Sequence, residues 1–399
     1  MSGQTFIAGM GIVSSIGNGL LANLQSLSNE KAGIGEMKWL QSVHKGELPV
    51  GEVKLSNEDL AAACGLSPNL PRTALLSCIA AYEAILDSGW EKALSPRTGF
   101  ISANTVGGMD KTENFFKLFS KNNAAGKLAG VIHHECGAIT ELVADHLGIR
   151  HFLSTVSTAC SSSANAIFTG SRMIRAGLLD FALVGGSDAL TSFTLNGFNT
   201  LMILDKDPCK PFDENRRGLN LGEGAAYLLL ASEKGLKELG KKAAGLVSGY
   251  ANANDAFHQT ASSPEGTGSF LAMKGALENA GLLRTDIDYI NLHGTGTQNN
   301  DIAEGTAIRL LFEGPFPKMS STKSYTGHTL GASGAVEAVY SVLAIQHGVI
   351  FPNLRLHTPM KDLPFQPVTS LMSNQKVRHV MSNSFGFGGN CSSLIFSAA

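Results

Sequence analysis

Short apolar runs bounded by glycine alternate along the first half of the chain with stretches whose apolar residues recur at helical spacing. The runs at 180–190 (DFALVGGSDAL) and 224–232 (GAAYLLLAS) are typical of buried strands. Residues 73–88 (TALLSCIAAYEAILDS) predict a helix, and RTGFISAN after them predicts a strand. Strands that alternate with helices indicate an α/β fold with both sheet faces covered.

The pattern restarts in the second half of the chain. GLVSGYANAND predicts a strand, SFLAMKGALENAG a helix, and DYINLHGTGT a strand that runs into a loop. GAVEAVYSVLAIQHG predicts another helix, and RHVMSNSFGFGGNCSSLIFS predicts two strands joined by a glycine-rich turn. The similar order of elements predicts an internal duplication, although no sequence identity between the halves is visible.

Composition and charge narrow the class of protein. A chain of 399 residues is too long for one ordinary core, so it predicts two domains or a duplicated one. The net charge of −2 favours neither nucleic acid nor an anionic membrane as a partner. Neither a secretion signal nor a membrane-spanning run is predicted, so we expect the cytoplasm. The six scattered cysteines form no CxxC pair, and we expect neither a metal site nor a disulfide framework.

Four short segments place reactive side chains among small residues: STACSSS, NLHGTGTQNNDIAEG, SSTKSYTGHTLGASG and NSFGFGGN. HLGIRHFLSTVSTAC predicts a strand that ends at Cys160, with a helix beyond it. A lone cysteine is most often a small buried hydrophobe, and a lone histidine is more often structural than catalytic. Each segment alone therefore has a structural explanation.

Together and in this order, the four segments resemble those of the elongating β-ketoacyl-[acyl-carrier-protein] synthases. The resemblance extends from AGMGIVSSIG to the last strand. It implies a thiolase-like fold: a five-layered αβαβα sandwich built from two similar α/β halves, in a dimeric acyltransferase. The halves are then residues 1–240, with the nucleophilic cysteine, and residues 241–399, with two catalytic histidines.

The resemblance implies that Cys160 takes an acyl group from the phosphopantetheine arm of a carrier protein. Cys160 is expected on the first turn of a buried helix, whose positive end favours the thiolate. The backbone N–H groups of Cys160 and Phe387 are expected to form an oxyanion hole. Phe387 also matches the family's gating phenylalanine.

The second reaction implied by the resemblance is decarboxylation of malonyl-carrier protein, which loses CO₂ and condenses with the acyl-enzyme to give 3-oxoacyl-carrier protein. His293 and His328 are expected to donate to the enolate oxygen. Lys323 matches the family lysine, and Glu304 matches the acidic residue that pairs with it. Asp301 is expected beside the same network. These charged groups are expected to orient the histidines.

The resemblance also implies what the enzyme binds. Thr295 and Thr297 match the threonines that hydrogen-bond the pantetheine amides. No permanently bound cofactor and no metal are expected, because the phosphopantetheine belongs to the acyl carrier protein substrate.

His328 occupies the position at which chain-initiating synthases have asparagine. The alternatives are a thiolase, whose second cysteine would be Cys391, and a non-catalytic chain-length subunit, which would lack Cys160.

The sequence departs from the family at the glycine turn, where Asn390 and Cys391 replace threonine and asparagine. We expect Asn390 to keep the turn, because asparagine tolerates left-handed backbone angles. The role of Cys391 stays open between an active-site group and a buried structural thiol.

The second departure lies at 104–116 (NTVGGMDKTENFF), where the family closes its acyl pocket across the dimer interface. Here Asp110, Lys111 and Thr112 interrupt the apolar pattern. Either these side chains face solvent, or Asp110 and Thr112 contact a polyene or polyketide intermediate. The second alternative includes a heterodimer with a chain-length-factor-like subunit instead of a homodimer.

Basic residues predict where an acidic carrier protein docks. Lys206, Arg216 and Arg217 are candidates for such a patch. Chain length, unsaturation and the choice between fatty-acid and specialised synthesis are not determined by the sequence.

Overall fold

The computed structural model describes residues 3–90 and 97–399. Its strands are β1 (Phe6–Ser14), β2 (Gly17–Asn18), β3 (Thr98–Ala103), β4 (Phe152–Val156), β5 (Phe181–Asp188), β6 (Gly224–Ala231), β7 (Gly245–Asn254), β8 (Tyr289–Asn291), β9 (Lys318–Ser320), β10 (His379–Phe385) and β11 (Asn390–Ser397). Its α-helices are α1 (Leu20–Ser28), α2 (Asn57–Cys64), α3 (Arg72–Asp87), α4 (Met109–Phe119), α5 (Cys136–Leu147), α6 (Ser162–Arg175), α7 (Ser192–Thr200), α8 (Glu233–Leu239), α9 (Thr267–Ala280), α10 (Gln298–Phe312), α11 (Lys323–Thr326) and α12 (Ser333–His347). Short 3₁₀ helices lie at Leu128–Val131, Arg284–Asp286, Leu330–Ala332 and Phe387–Gly389.

The sheet repeats one topology twice. The first five-stranded part has the order β4-β3-β5-β6-β1, and the second has the matching order β9-β8-β10-β11-β7. In each part the first three strands are parallel to one another, and the fourth strand is antiparallel to both of its neighbours. The parts meet where β1 pairs with β7, at Phe6–Leu246 and Ile7–Gly245. The internal duplication is therefore visible in the strand order. The predicted boundary at residue 240 falls between α8 and β7 and stays a prediction.

Helices cover and separate the two parts of the sheet. α3 packs on the outer face of the first part with α2 and α5, and α9 packs on the second with α10. α6 and α12 contact each other and strands of both parts, so they form the middle layer. A helix enclosed by two sheets has to be apolar on all sides, and α12 is buried from Ser333 to Ala344. The result is the predicted αβαβα sandwich.

The loops that follow four of the strands meet in one region of the molecule. β4 precedes Cys160, β8 precedes His293, β9 precedes Lys323, and β10 precedes Phe387. In sheets with parallel strands, functional groups gather at the carboxyl ends of the strands, where the loops to the next helices begin. The duplicated topology therefore brings loops from both halves together.

Two predictions about elements need correction. The strand predicted to end at Cys160 ends at Val156, because a tight turn follows it. It also begins later than predicted, since Leu147 still belongs to α5. Asn390 is extended, with φ −75°, because Gly388 and Gly389 take the left-handed angles of the turn.

Among the described residues, no helix is both long enough and apolar enough to cross a membrane.

Candidate active site

A cavity of about 330 Å³ opens where the loops of both halves meet. Its lining includes most of the residues that the sequence analysis singled out: Cys160, His293, Thr295, Thr297, His328 and Phe387. The ligating atoms of Cys160, His293 and His328 all lie within 4.8 Å of one another. The structure thus gathers three reactive groups that lie far apart in the sequence.

Cys160 lies on a tight turn just before helix α6. Ala159 has a left-handed φ of 53°, a conformation that costs energy for a residue with a Cβ atom. Ser162 accepts a hydrogen bond from the Thr158 N–H at 2.8 Å and so closes the turn. Helix α6 begins at Ser162 with Ser161 as its N-cap. Cys160 therefore precedes the helix. The prediction that it lies on the first turn of the helix is wrong.

Burial controls the ionisation of Cys160. It raises the pKa of the Cys160 thiol to about 11, although the charge of Lys323 and the backbone N–H groups of Phe387 and Cys160 act in the opposite direction. This loss of hydration opposes the preference for the thiolate that was expected from the helix end. The two N–H groups expected to form the oxyanion hole do lie against the sulfur.

Both histidines present the same ring nitrogen to the cavity. The rings of His293 and His328 stand edge to face, with centroids 5.4 Å apart. His328 Nδ1 accepts from the Leu330 N–H at 3.0 Å, and His293 Nδ1 lies 3.2 Å from Lys323 Nζ. An Nδ1 that accepts a hydrogen bond leaves the proton of a neutral imidazole on Nε2. Each ring therefore has an Nε2–H to donate.

The histidines stay neutral over a wide pH range. Burial lowers the pKa of both His293 and His328 well below 6.5, and the positive charge of Lys323 lowers it further. The spacing of Cys160, His293 and His328 would also suit a metal ion. However, an Nε2 that carries a proton has no lone pair for a metal, so the hydrogen bonding favours donation to an oxygen instead.

Lys323 pairs with Glu337 and not with Glu304, which corrects the sequence prediction. Lys323 Nζ forms an ion pair with Glu337 Oε1, and their side chains are 2% and 3% exposed. The same Nζ donates to the carbonyl oxygen of His293 at 2.7 Å. Burial raises the pKa of Glu337 to about 7, opposed by the charge of Lys323. The sequence signal for Glu337 was an acidic residue within the apolar helix GAVEAVYSVL.

Glu304 instead holds the loop that carries His293. Its carboxylate accepts from the backbone N–H groups of His293 at 2.9 Å and Gly294 at 2.8 Å, and from Asn383 Nδ2 at 3.1 Å. These donors occupy both oxygens, which is why no lysine partner is needed. Burial raises the pKa of Glu304 to about 7.

Asp301 lies outside the Lys323 network, contrary to expectation. It accepts from the backbone N–H groups of Phe212 at 2.8 Å and Gly296 at 3.2 Å, and it lies 3.5 Å from Arg216. Arg216 is consequently buried and cannot belong to a docking patch for a carrier protein. The other two candidates, Lys206 and Arg217, have exposed side chains paired with carboxylates.

Thr295, Thr297 and Phe387 border the space in front of the cysteine. The hydroxyls of Thr295 and Thr297 lie 2.9 Å apart, and Thr297 caps helix α10. Phe387 stacks on Phe198 at 5.7 Å between ring centroids. Gly388 follows it with φ 78°, an angle that favours glycine.

Asp110 and Thr112 do not line the Cys160 cavity of their own chain. Asp110 accepts from the Arg72 N–H at 3.2 Å and borders a separate polar cavity of about 290 Å³. Thr112 hydrogen-bonds with His134 Nδ1 at 3.0 Å. Their proposed contact with substrate concerned a pocket closed across the dimer interface, and a single chain does not test it. Contact with the substrate of a partner subunit stays a prediction.

Cys391 is a core residue. It is 2% exposed, packs in the apolar cluster between β10, β11 and α9, and lies outside the lining of the Cys160 cavity. Burial raises the pKa of its thiol to about 12. This placement favours the structural alternative over a second active-site cysteine.

A duplicated αβαβα sandwich with a buried cysteine and two hydrogen-donating imidazoles defines a thiolase-like acyltransferase. Two family models match the chain: the N-terminal domain of β-ketoacyl synthases over residues 4–235 and their C-terminal domain over residues 244–357. The chain belongs to the β-ketoacyl synthase family.

Individual relatives cover the full length of the chain. The 3-oxoacyl-[acyl-carrier-protein] synthase 2 of Staphylococcus aureus is 30% identical over 98% of this chain and 100% of its own. The structure of the ishigamide ketosynthase/chain length factor aligns with a TM-score of 0.95 and 29% identity, covering 100% of both chains. The ketosynthase ApeO, solved with its chain length factor ApeC from Xenorhabdus doucetiae, aligns with a TM-score of 0.83 and 30% identity, over 100% of this chain and 98% of that one.

The chain is a 3-oxoacyl-[acyl-carrier-protein] synthase that performs the elongating condensation of fatty-acid or polyketide synthesis. The family, the fold and the reaction predicted from the sequence are thus confirmed.

Proposed function

We propose that Cys160 is the acyl-accepting nucleophile and that His293 and His328 stabilise the enolate of the malonyl unit. The observation that carries this proposal is the shared cavity, where the Cys160 sulfur meets two backbone N–H groups and two neutral imidazoles. One pair of donors suits a tetrahedral oxyanion, and the other suits an enolate oxygen.

The first half-reaction transfers an acyl group. Cys160 Sγ attacks the thioester carbonyl carbon, and the oxyanion accepts from the N–H groups of Cys160 and Phe387. The pantetheine sulfur then leaves and takes the proton that Cys160 loses. The products are the acyl-cysteine and the free thiol of the carrier.

The second half-reaction forms the carbon–carbon bond. The malonyl thioester loses CO₂, and the electron pair of the broken bond becomes an enolate whose oxygen accepts from His293 and His328 Nε2–H. The enolate carbon attacks the acyl carbon on Cys160, and the Cys160 sulfur leaves. Imidazoles that remain neutral are suited to donate without giving up a proton, which is the state that burial and Lys323 maintain.

The remaining groups hold these donors and the substrate arm. Lys323, paired with Glu337, fixes His293 through its Nδ1 and its carbonyl oxygen. We propose that Thr295 and Thr297 hydrogen-bond the amides of the pantetheine arm, which needs polar but uncharged contacts. We propose that the enzyme has no permanently bound cofactor, since the phosphopantetheine arrives on the acyl carrier protein.

We further propose that the enzyme works as a dimer with a chain-length-factor-like subunit in polyene or polyketide synthesis. Two similar solved structures are named as ketosynthases with chain length factors. Helix α4 exposes Phe116, Leu118 and Phe119, an apolar surface that a second subunit would cover. The identity to the staphylococcal synthase is equally high, so a homodimer is the competing outcome.

Intact-mass spectrometry tests both proposals. Wild type and Cys160→Ala are incubated with acyl-carrier proteins of varied chain length, alone and with a candidate partner subunit. We expect acylation of wild type only. Acylation of Cys160→Ala would overturn the assignment of the nucleophile. Efficient synthesis of palmitate-length chains by the isolated homodimer would overturn the proposed partner and pathway.

A further inference from the structure

Asn390 joins the turn of the nucleophile to the rest of the second half. Its side-chain Oδ1 accepts from Asn165 Nδ2 at 2.9 Å and from Asn252 Nδ2 at 2.7 Å. It also lies 2.7 Å from Ser161 Oγ, whose single proton it shares with the Thr158 carbonyl oxygen at 2.7 Å. Ser161 follows Cys160 directly and caps helix α6, while Asn252 belongs to β7 of the other half. One carboxamide oxygen thus contacts elements of both halves beside the cysteine.

The same residue closes the glycine turn that carries Phe387. The Asn390 carbonyl oxygen accepts from the Gly386 N–H at 2.9 Å, at the base of the turn. Beyond it, Gly389 N–H donates to the Gly386 carbonyl oxygen at 3.2 Å, and the Gly389 carbonyl oxygen accepts from Asp255 N–H at 2.8 Å. Asn390 is therefore attached through its backbone to the Phe387 turn and through its side chain to the Cys160 turn.

These two turns contribute one N–H each to the oxyanion hole. The hole works only when both N–H groups reach the same oxygen, so its geometry depends on the distance between the turns. The turns are in close contact, since a Cβ atom added to Gly386 would lie 3.1 Å from the Cys160 nitrogen. A small displacement of either turn would misalign one donor.

We infer that the Asn390 carboxamide is the positioning residue that sets the oxyanion hole of Cys160 and Phe387. The inference rests on the proposed role of those two N–H groups. A carboxamide oxygen at this length reaches all three groups, whereas threonine, the residue expected here from the family, offers a shorter hydroxyl that also has to donate its own proton. Asparagine in place of threonine at position 390 then has a function: a carboxamide joins the two turns where the family has a hydroxyl.

A purely structural role for Asn390 predicts a different result. Asn390 is also the first residue of β11, where it is paired with Asn254 of β7. If it only stabilised this strand, its substitution would impair every reaction of Cys160 equally. If it positions the oxyanion hole, only reactions that develop an oxyanion slow down.

The test compares two reactions of the same thiol. Acyl transfer from an acyl thioester needs the oxyanion hole, but alkylation of Cys160 by iodoacetamide forms no oxyanion. For Asn390→Ala we expect acyl transfer to slow by about 10- to 100-fold, because misplacement by a fraction of an ångström to 1 Å costs up to about 10²-fold. Because the same two N–H groups also favour the thiolate, alkylation is compared at equal thiolate fraction, taken from its own pH dependence, and is then expected to change less than about 2-fold. Asn390→Asp keeps the accepting oxygen and is expected to recover most of the acyl-transfer rate.

Graded variants keep the inference falsifiable. Asn252→Ala removes one of the three groups and should slow acyl transfer less than Asn390→Ala does. If Asn390→Ala fails to fold, the rates of acyl transfer and alkylation are compared in Asn390→Thr instead. Equal loss of acyl transfer and alkylation, or unchanged acyl transfer in both Asn390→Ala and Asn390→Thr, would overturn the inference. If wild type itself accepts no acyl group while Cys160 is alkylated, the proposed function fails instead.

Discussion

The two halves of the chain share a strand order but differ in the chemistry of their loops. In the first half, the loop after β4 provides Cys160 and neutral serines. In the second half, the loops after β8 and β9 provide His293, Lys323 and His328. The repeated scaffold supplies equivalent positions at the strand ends, and each half uses them for a different group. A nucleophile and its charge-stabilising partners can therefore be placed face to face by one duplicated topology.

The central helices show the same division. Helix α6 starts with Ser162, Ser163 and Ala164, which are small, neutral and buried. Helix α12 is also largely buried but contains Glu337, whose partner Lys323 contacts His293. Among the described residues, the two buried charges that act on Cys160, Lys323 and Glu337, thus lie on the histidine side. The comparison predicts that electrostatic substitutions in the second half have large effects, whereas the nucleophile itself is governed by burial.

The largest expected effect is on the ion pair of helix α12. Glu337→Gln leaves the buried Lys323 without a compensating charge, so we expect the free energy of unfolding to fall by about 3–5 kcal/mol. Chemical denaturation measures this change. The double variant Lys323→Met with Glu337→Gln should regain stability but not condensation activity, because His293 loses its positioning contact.

A matched control uses an exposed ion pair. Glu233→Gln breaks a pair with Lys237 on the surface of α8 and should leave the denaturation curve unchanged. A Glu337→Gln variant as stable as wild type would show that the charge division between the halves has no energetic importance.

The second prediction separates the two half-reactions. His293→Ala and His328→Ala each remove one donor to the enolate, so the release of CO₂ from malonyl-carrier protein should fall by about 10²–10³-fold. Acylation of Cys160, followed by intact mass, should fall much less. His258→Ala is the control, since His258 is exposed and lies outside the cavity lining. Equal loss of both half-reactions would contradict the separate roles of the two sets of donors.

The third prediction concerns the pH dependence of the nucleophile. Because burial raises the pKa of Cys160 to about 11, the reactive thiolate fraction grows tenfold per pH unit below that value. Alkylation of Cys160 by iodoacetamide should therefore accelerate by about 100-fold between pH 7 and pH 9, without a plateau. Cys160→Ala gives the background from other thiols. A plateau below pH 8 would mean that the helix end and Lys323 outweigh burial after all.

The alternation of strands and helices was sufficient to predict an α/β fold with a repeated order of elements, because hydrophobic periodicity reports local structure directly. The five-layered sandwich was predicted from the family resemblance. β5, β6 and α3 lie close to their predicted positions. The end of β4 was predicted wrongly, since the turn before Cys160 depends on a left-handed φ at Ala159. Alanine gives no sequence signal for that angle. Glycine is the usual signal for such an angle.

The site could be predicted as far as short motifs reach. Cys160, His293 and His328 were identified from the segments that contain them, and the structure places them together. The partner of Lys323 was missed because Glu337 joins it only through the packing of α12, 14 positions further along the chain. Glu304, the acidic residue of the HGTGT segment 19 positions before Lys323, instead accepts from backbone N–H groups. Pairing across the core is a property of packing that local sequence does not record.

The smallest expected effect concerns the second cysteine of interest, Cys391, which tests whether the halves share one nucleophile or hold two. Its thiol packs among apolar side chains between β10, β11 and α9. Cys391→Ala should therefore reduce the free energy of unfolding by only about 1 kcal/mol, through the small cavity left behind. Acyl transfer to Cys160 and condensation should both match wild type, as measured by intact mass and by CO₂ release. A variant that is stable but loses either reaction would instead place a second thiol in the chemistry, as a thiolase requires, and the histidine side would no longer be the only partner of Cys160.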